Sequence, residues 1–151
     1  MRWYFASEVE DAEDIFELMT SWWGEIFSPP LSLDIDLFIH MHRGGNLLTV
    51  CGRDESNKLV ACYVGTIAPD LFRKGKKRLD QLACCLHPTY RSVKHYKELI
   101  SIIEKICSKL RIDNFSIDLV NKRMERVMEK EGFEFDVISM NKEVGNVISS
   151  K

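Results

Sequence analysis

The chain has 151 residues, enough for one domain that buries a core without metal or disulfide staples. Hydrophobic residues make up 45% and charged residues 29%, the balance of a globular protein rather than a disordered or fibrous one. A formal net charge of −2 gives no global attraction to nucleic acid or anionic lipid, so any such binding needs a local patch.

No apolar run approaches the roughly 18 residues of a membrane span. The opening "MRWYFASEVED" turns acidic at once, unlike a signal peptide. The expectation is a cytoplasmic protein with no membrane partner. The five cysteines, at 51, 62, 84, 85 and 107, are odd in number and contain no C-x-x-C pair. Cys84 and Cys85 would face opposite sides of a strand, and all five read as reduced thiols.

Arg2 to Ala6 is rich in aromatics and reads as a short strand. Ser7 and Glu10 form a capping box ahead of Ala12, Ile15, Phe16, Met19, Trp22 and Trp23. Their helical spacing predicts helix one to about Gly24. "SPPLSLD" breaks the chain, and Asp34 caps a short second helix carrying Leu37, Phe38 and Met41, which "RGG" closes. "NLLTVCGR" and "KLVACYVGTI", joined by "DESN", read as a hairpin. "APDLFRKGKKR" is a basic connection into a third run, "LDQLACCL".

Tyr96, Leu99, Ile100, Ile103, Ile106, Cys107 and Leu110 mark the inner face of a long helix, and "NFSIDLV" reads as another buried strand. Asn121 caps a helix with Met124, Val127 and Met128 on one side. Gly132 takes the left-handed position at its end. "FEFDVISMNKEV" supplies one or two closing strands, so residues 1–144 form a single domain and 145–151 a flexible tail. The element order describes an α+β fold: a mixed, mainly antiparallel central sheet flanked by helices.

Two blocks stand out along this order. The run Leu86-His87-Pro88-Thr89-Tyr90-Arg91 ends a strand and opens a turn. Asn121, Met124, Val127, Met128, Gly132 and Phe133 then recur at fixed spacing downstream. Over nearly the whole chain the sequence resembles the GNAT acetyltransferase superfamily. There the fourth strand ends in an apolar-x-Pro step, followed by Arg/Gln-x-x-Gly-x-Gly/Ala and a helix. Later comes Asn-x-x-Ala-x-x-Leu-Tyr and, three residues on, Gly-Phe. The resemblance implies a sheet that splays between the fourth strand and the strand at Phe115–Leu119, with the pantetheine arm of acetyl-CoA in the splay.

It also implies a phosphate site at the turn. A helix N-terminus offers unpaired N–H groups and the positive end of the helix dipole. The expected cofactor-binding set is Leu86, through its backbone N–H, with Arg91, Ser92, Val93, Lys94, His95, Tyr96, Asn121 and Met128. The chain departs from the family where Lys94 and Tyr96 occupy the two glycine positions. Arg91, Lys94 and His95 supply positive charge there instead. Met128 replaces the tyrosine that often protonates the leaving thiolate, and it has no proton to give.

The resulting expectation is an acyl-CoA-dependent N-acyltransferase that uses acetyl-CoA as cosubstrate and a primary amine as acceptor. Asp80 and His87 are the candidate bases. The competing reading is a catalytically degenerate GNAT-like structural or binding protein, for example of phage origin. Arg73 to Arg78 carries five cations in six positions, either a solvated loop or a contact for an acidic partner or nucleic acid. Trp22 and Trp23 end helix one near where relatives form the acceptor pocket. No spacing of histidine, cysteine and carboxylate reads as a metal site. A homodimer stays open.

Overall fold

The structure, a computed structural model, describes residues 1–6, 11–26, 32–118 and 122–134. The elements are β1 (Arg2–Phe5), α1 (Ala12–Ile26), α2 (Ile35–Arg43), β2 (Leu47–Arg53), β3 (Leu59–Pro69), β4 (Lys77–Leu86), α3 (Val93–Leu110), β5 (Asn114–Phe115) and α4 (Lys122–Lys130). The chain divides into two compact units, Met1–Val120 and Asn121–Lys151. The first holds a five-stranded sheet in the order β1-β2-β3-β4-β5. Its first three pairings are antiparallel and β4–β5 is parallel, so the mixed α+β architecture is the expected one.

Alternation along the central strands builds a core on each face of the sheet. Cys51, Cys62, Val64, Ala83 and Cys85 join Ile15 and Phe16 of α1, with Phe38 and Met41 of α2 packed against them. Leu48, Val50, Ala61, Tyr63, Leu79 and Leu86 join Leu99, Ile103 and Cys107 of α3. The helix ends follow the polar signals. Asp34 caps α2 by accepting the Leu37 N–H at 2.9 Å, and Ser92 caps α3. In the second unit Gly132 ends α4 at a φ of 89°, the left-handed value its position called for.

Several boundaries shift. The basic run is shorter as a loop than expected, because β3 continues to Pro69 and β4 starts at Lys77, pairing with it. Leu37 and Leu110 are exposed rather than inward. The strand expected over 114–120 pairs for two residues only. The Ser7–Glu10 capping box, the Asn121 cap, the closing strands beyond Glu134 and the tail lie outside the described residues.

One irregularity interrupts the ladder between β3 and β4. Val64 opposes Ala83 and Gly65 opposes Gln81, so Leu82 is an extra residue, a bulge in β4. Gly65, at the same irregularity, leaves room for the Leu79 side chain: a Cβ there would stand 2.6 Å from Leu79 Cδ1 and 3.1 Å from the Asp80 carbonyl oxygen. Leu79 is fully buried and has nowhere to retreat. Gly65→Ala is therefore expected to lower stability by about 1–3 kcal/mol, the usual cost of overpacking a core, measured by chemical denaturation.

Candidate functional site

Past Leu79, three residues before the bulge, β4 loses the ladder to its second neighbour. Ladder pairing with β5 covers Arg78–Asn114 and Leu79–Phe115, and the Ser116 N–H donates to the Leu79 carbonyl at 2.9 Å. After that point side chains replace the ladder. The Gln81 N–H donates to Ser116 Oγ at 3.0 Å, and the Asp118 N–H donates to Gln81 Oε1 at 3.0 Å. From β3, Tyr63 Oη donates to the Ser116 carbonyl at 2.9 Å. Burial pushes the Tyr63 phenol far above its ordinary range, so it stays a donor. These bonds join the two strands where the ladder has ended.

The far end of β4 faces this gap. The His87 N–H donates to the Val60 carbonyl at 2.7 Å, which makes Ala61 and Leu86 a non-hydrogen-bonded pair. The same parity holds for Tyr63 and Cys84. The backbone N–H groups of Cys84 and Leu86 therefore point away from β3, to the side where β5 has parted. The Cys84 thiol itself is pushed up to about 12 by burial, which excludes it as a ready nucleophile.

Next comes the turn, which side chains shape throughout. Arg91 Nε donates to the Leu86 carbonyl at 2.8 Å and so braces the strand end. The Ser92 hydroxyl accepts the His95 N–H at 3.3 Å. His95 Nδ1 lies 3.0 Å from the Tyr90 carbonyl, which can only accept, so this nitrogen carries the proton. Tyr90 Oη donates to Asp54 Oδ2 at 3.4 Å, tying the turn to the β2–β3 connection.

The two residues at the glycine positions go separate ways. Tyr96 packs against the α3-side core, whereas Lys94 is exposed beside Val93. The N–H groups of Val93 and Lys94, the first two of α3, have no partner within the helix.

The two candidate bases differ in what they are doing. Asp80 sits where β4 and β5 part, two residues before the bulge. Arg78 donates to Asp80 Oδ1 from Nε at 3.0 Å and from Nη2 at 2.8 Å, so both contacts fall on one oxygen. His87 Nδ1 accepts the Thr89 N–H at 3.4 Å, which uses that nitrogen's lone pair in the turn. Met128 lies on α4 of the second unit, and Asn121 lies outside the described residues.

Trp22 packs in part against the α1-side core and meets Trp23 edge-on at 6.4 Å. Among the described residues no cluster of histidine, cysteine and carboxylate fits a metal ion, and no helix is long and apolar enough to cross a membrane. The clasp formed by Gln81, Ser116 and Tyr63 went unread in the sequence. Its one signal is a pair of polar residues inside otherwise apolar strand runs.

Removing the Ser116 hydroxyl tests the clasp. Ser116→Ala leaves the Gln81 N–H without its acceptor and is expected to cost about 1–2 kcal/mol, read from denaturation midpoints.

Among solved structures, an acetyltransferase from Trypanosoma brucei is similar at a TM-score of 0.73 with 20% identity, over 95% of this chain and 99% of that one. A glucosamine-6-phosphate N-acetyltransferase from Arabidopsis thaliana superposes at 0.71 with 14% identity, over 95% and 99% of the two chains. An aminoglycoside acetyltransferase from an uncultured soil metagenomic sample does so at 0.75 with 10% identity, over 95% of each. No family model matches the sequence, and no curated protein does. The agreement nevertheless covers 95% of this chain in each case, and the chain has the fold of the GNAT acetyltransferases.

Proposed function

We propose that the chain is an acyl-CoA-dependent N-acyltransferase that transfers acetyl from acetyl-CoA to a primary amine. The observation that carries this reading is the gap between β4 and β5, which opens past Leu79 and Ser116 and is lined by outward N–H groups of Cys84 and Leu86. The α3 N-terminus, with the cations Arg91 and Lys94, follows directly on that strand.

The residues present fit such a ligand. The Leu86 N–H suits the amide-rich pantetheine arm, and the amides of Val93 and Lys94 suit the phosphates. Ser92 and His95 hold those amides in place. Bound acetyl-CoA supplies an activated thioester whose thiolate is a tolerable leaving group.

The chain's own contribution is positioning and proton removal. Of the two candidate bases Asp80 is the better placed. Arg78 occupies Oδ1 and fixes the carboxylate, while Oδ2 keeps its lone pairs for the ammonium proton of an incoming amine. His87 would have to give up its contact with the Thr89 N–H first.

A second reading, a CoA-binding or structural protein without turnover, is favoured by Met128 in the tyrosine position, since no acid stands there for the thiolate.

Thermal shift with acetyl-CoA, free CoA and no ligand tests binding. Arg91→Ala and Lys94→Ala should each weaken it by about 1–2 kcal/mol, the scale of a charge-assisted hydrogen bond. Thiol release from acetyl-CoA with a panel of amines tests turnover. Asp80→Asn should slow release by about 10²-fold or more with CoA affinity unchanged, whereas His87→Ala stays within a few-fold of the parent. Binding without thiol release for any amine would leave the second reading standing.

A further inference from the structure

The β3–β4 hairpin ends in a tip unlike the rest of the surface. Leu71 and Phe72 are 92% and 91% exposed, while the next most exposed large apolar residue among those described, Leu82, reaches 57%. Scattered apolar side chains on a surface are ordinary, but two adjacent ones standing almost wholly in water are not. They are followed at once by Arg73, Lys74, Lys76, Lys77 and Arg78.

The tip is braced in this shape. Asp70, itself buried, donates its N–H to the Lys76 carbonyl at 2.8 Å. Its carboxylate accepts the Phe72 N–H at 3.0 Å and Arg73 Nε at 2.7 Å. The Arg73 N–H closes on the Asp70 carbonyl at 3.2 Å, the Lys76 N–H closes on the Arg73 carbonyl at 3.0 Å, and Gly75 takes a φ of 77°. These bonds keep Leu71 and Phe72 from folding back onto the sheet.

Charge around the tip is only partly neutralised. Arg73 pairs with Asp70, Lys76 with Asp113 at 3.3 Å and Arg78 with Asp80. Lys74 and Lys77 are exposed and make no ion pair among the described residues.

From this we infer that the hairpin tip docks on the surface of an anionic phospholipid bilayer. Leu71 and Phe72 enter the interface between headgroups and acyl chains, and Lys74 and Lys77 meet the phosphate and carboxylate groups around them. An exposed, braced apolar pair followed by cations is complementary to such a surface. Apolar insertion and attraction to acidic lipid act there together. A polyanion such as nucleic acid would use the lysines and leave Leu71 and Phe72 in water. The lack of an apolar span and the net charge of −2 do not bear on this contact, because both average over the chain and the tip is local.

Sedimentation of the full chain with vesicles tests the inference. Binding is expected to equimolar phosphatidylcholine and phosphatidylserine, and not to phosphatidylcholine alone. Lys74→Ala and Lys77→Ala should each weaken it about fivefold, the worth of one cation near an acidic leaflet. Phe72→Ser should weaken it by about tenfold through lost apolar burial. All three sites are exposed, so unchanged melting temperatures are expected alongside. In a Phe72→Trp variant, brominated acyl chains should quench the added emission. No sedimentation with the acidic vesicles would overturn the inference. So would binding that ignores Phe72→Ser and is matched by duplex DNA, which would point to a polyanion partner instead.

Discussion

A strand in the middle of a sheet must satisfy backbone groups on two sides, and β4 has a ladder partner on both sides only as far as Leu79. Everything of functional interest in the first unit depends on how the shortfall is met. The Leu82 bulge shifts the register against β3, Gly65 leaves room for Leu79, and the hydroxyl of Ser116 accepts the N–H that a β5 carbonyl would otherwise take. The two strands part there while side-chain bonds still join them. If the ladder had continued, the sheet would be closed at the place where the outward amides of Cys84 and Leu86 now stand.

The second dependency is the join between strand and helix. A proline after β4 starts a single tight turn at Pro88–Tyr90, and Ser92 then caps α3. Arg91 returns to the strand it has just left, and Tyr90 reaches across to the β2–β3 connection. Strand end, turn and helix start therefore move as one body, which is what a site made of backbone amides requires.

Much of this was legible in the residues alone. Two β-rich runs joined by the polar turn "DESN" marked β2 and β3, the cap Asp34 and the left-handed Gly132 marked helix ends, and the spacing from Leu86 to Arg91 marked the turn. The family's splay was expected from the resemblance, and β4 and β5 do part. What could not be read was how. Ser116 and Gln81 look like ordinary polar residues in a strand, and their exchange joins positions 35 apart in the chain. The reach of β4 back to Lys77 was hidden for a different reason. Lysine and arginine have little strand preference of their own, and it is pairing with Ala68 and Pro69 that puts them there. Asp80 was visible as a carboxylate on this strand, but its hold by Arg78 two residues earlier is a matter of which face each side chain takes.

The turn before α3 also bears on the ensemble from which the protein folds. Where the family has two glycines this chain has Lys94 and Tyr96, both in right-handed helical backbone that any residue accepts. A chain without glycine at such positions wanders through fewer conformations when unfolded, which is worth about 0.4–1 kcal/mol for each replacement. Less freedom is then surrendered in forming the helix start. The freedom that glycine would bring is given up for a segment already narrowed toward its folded shape.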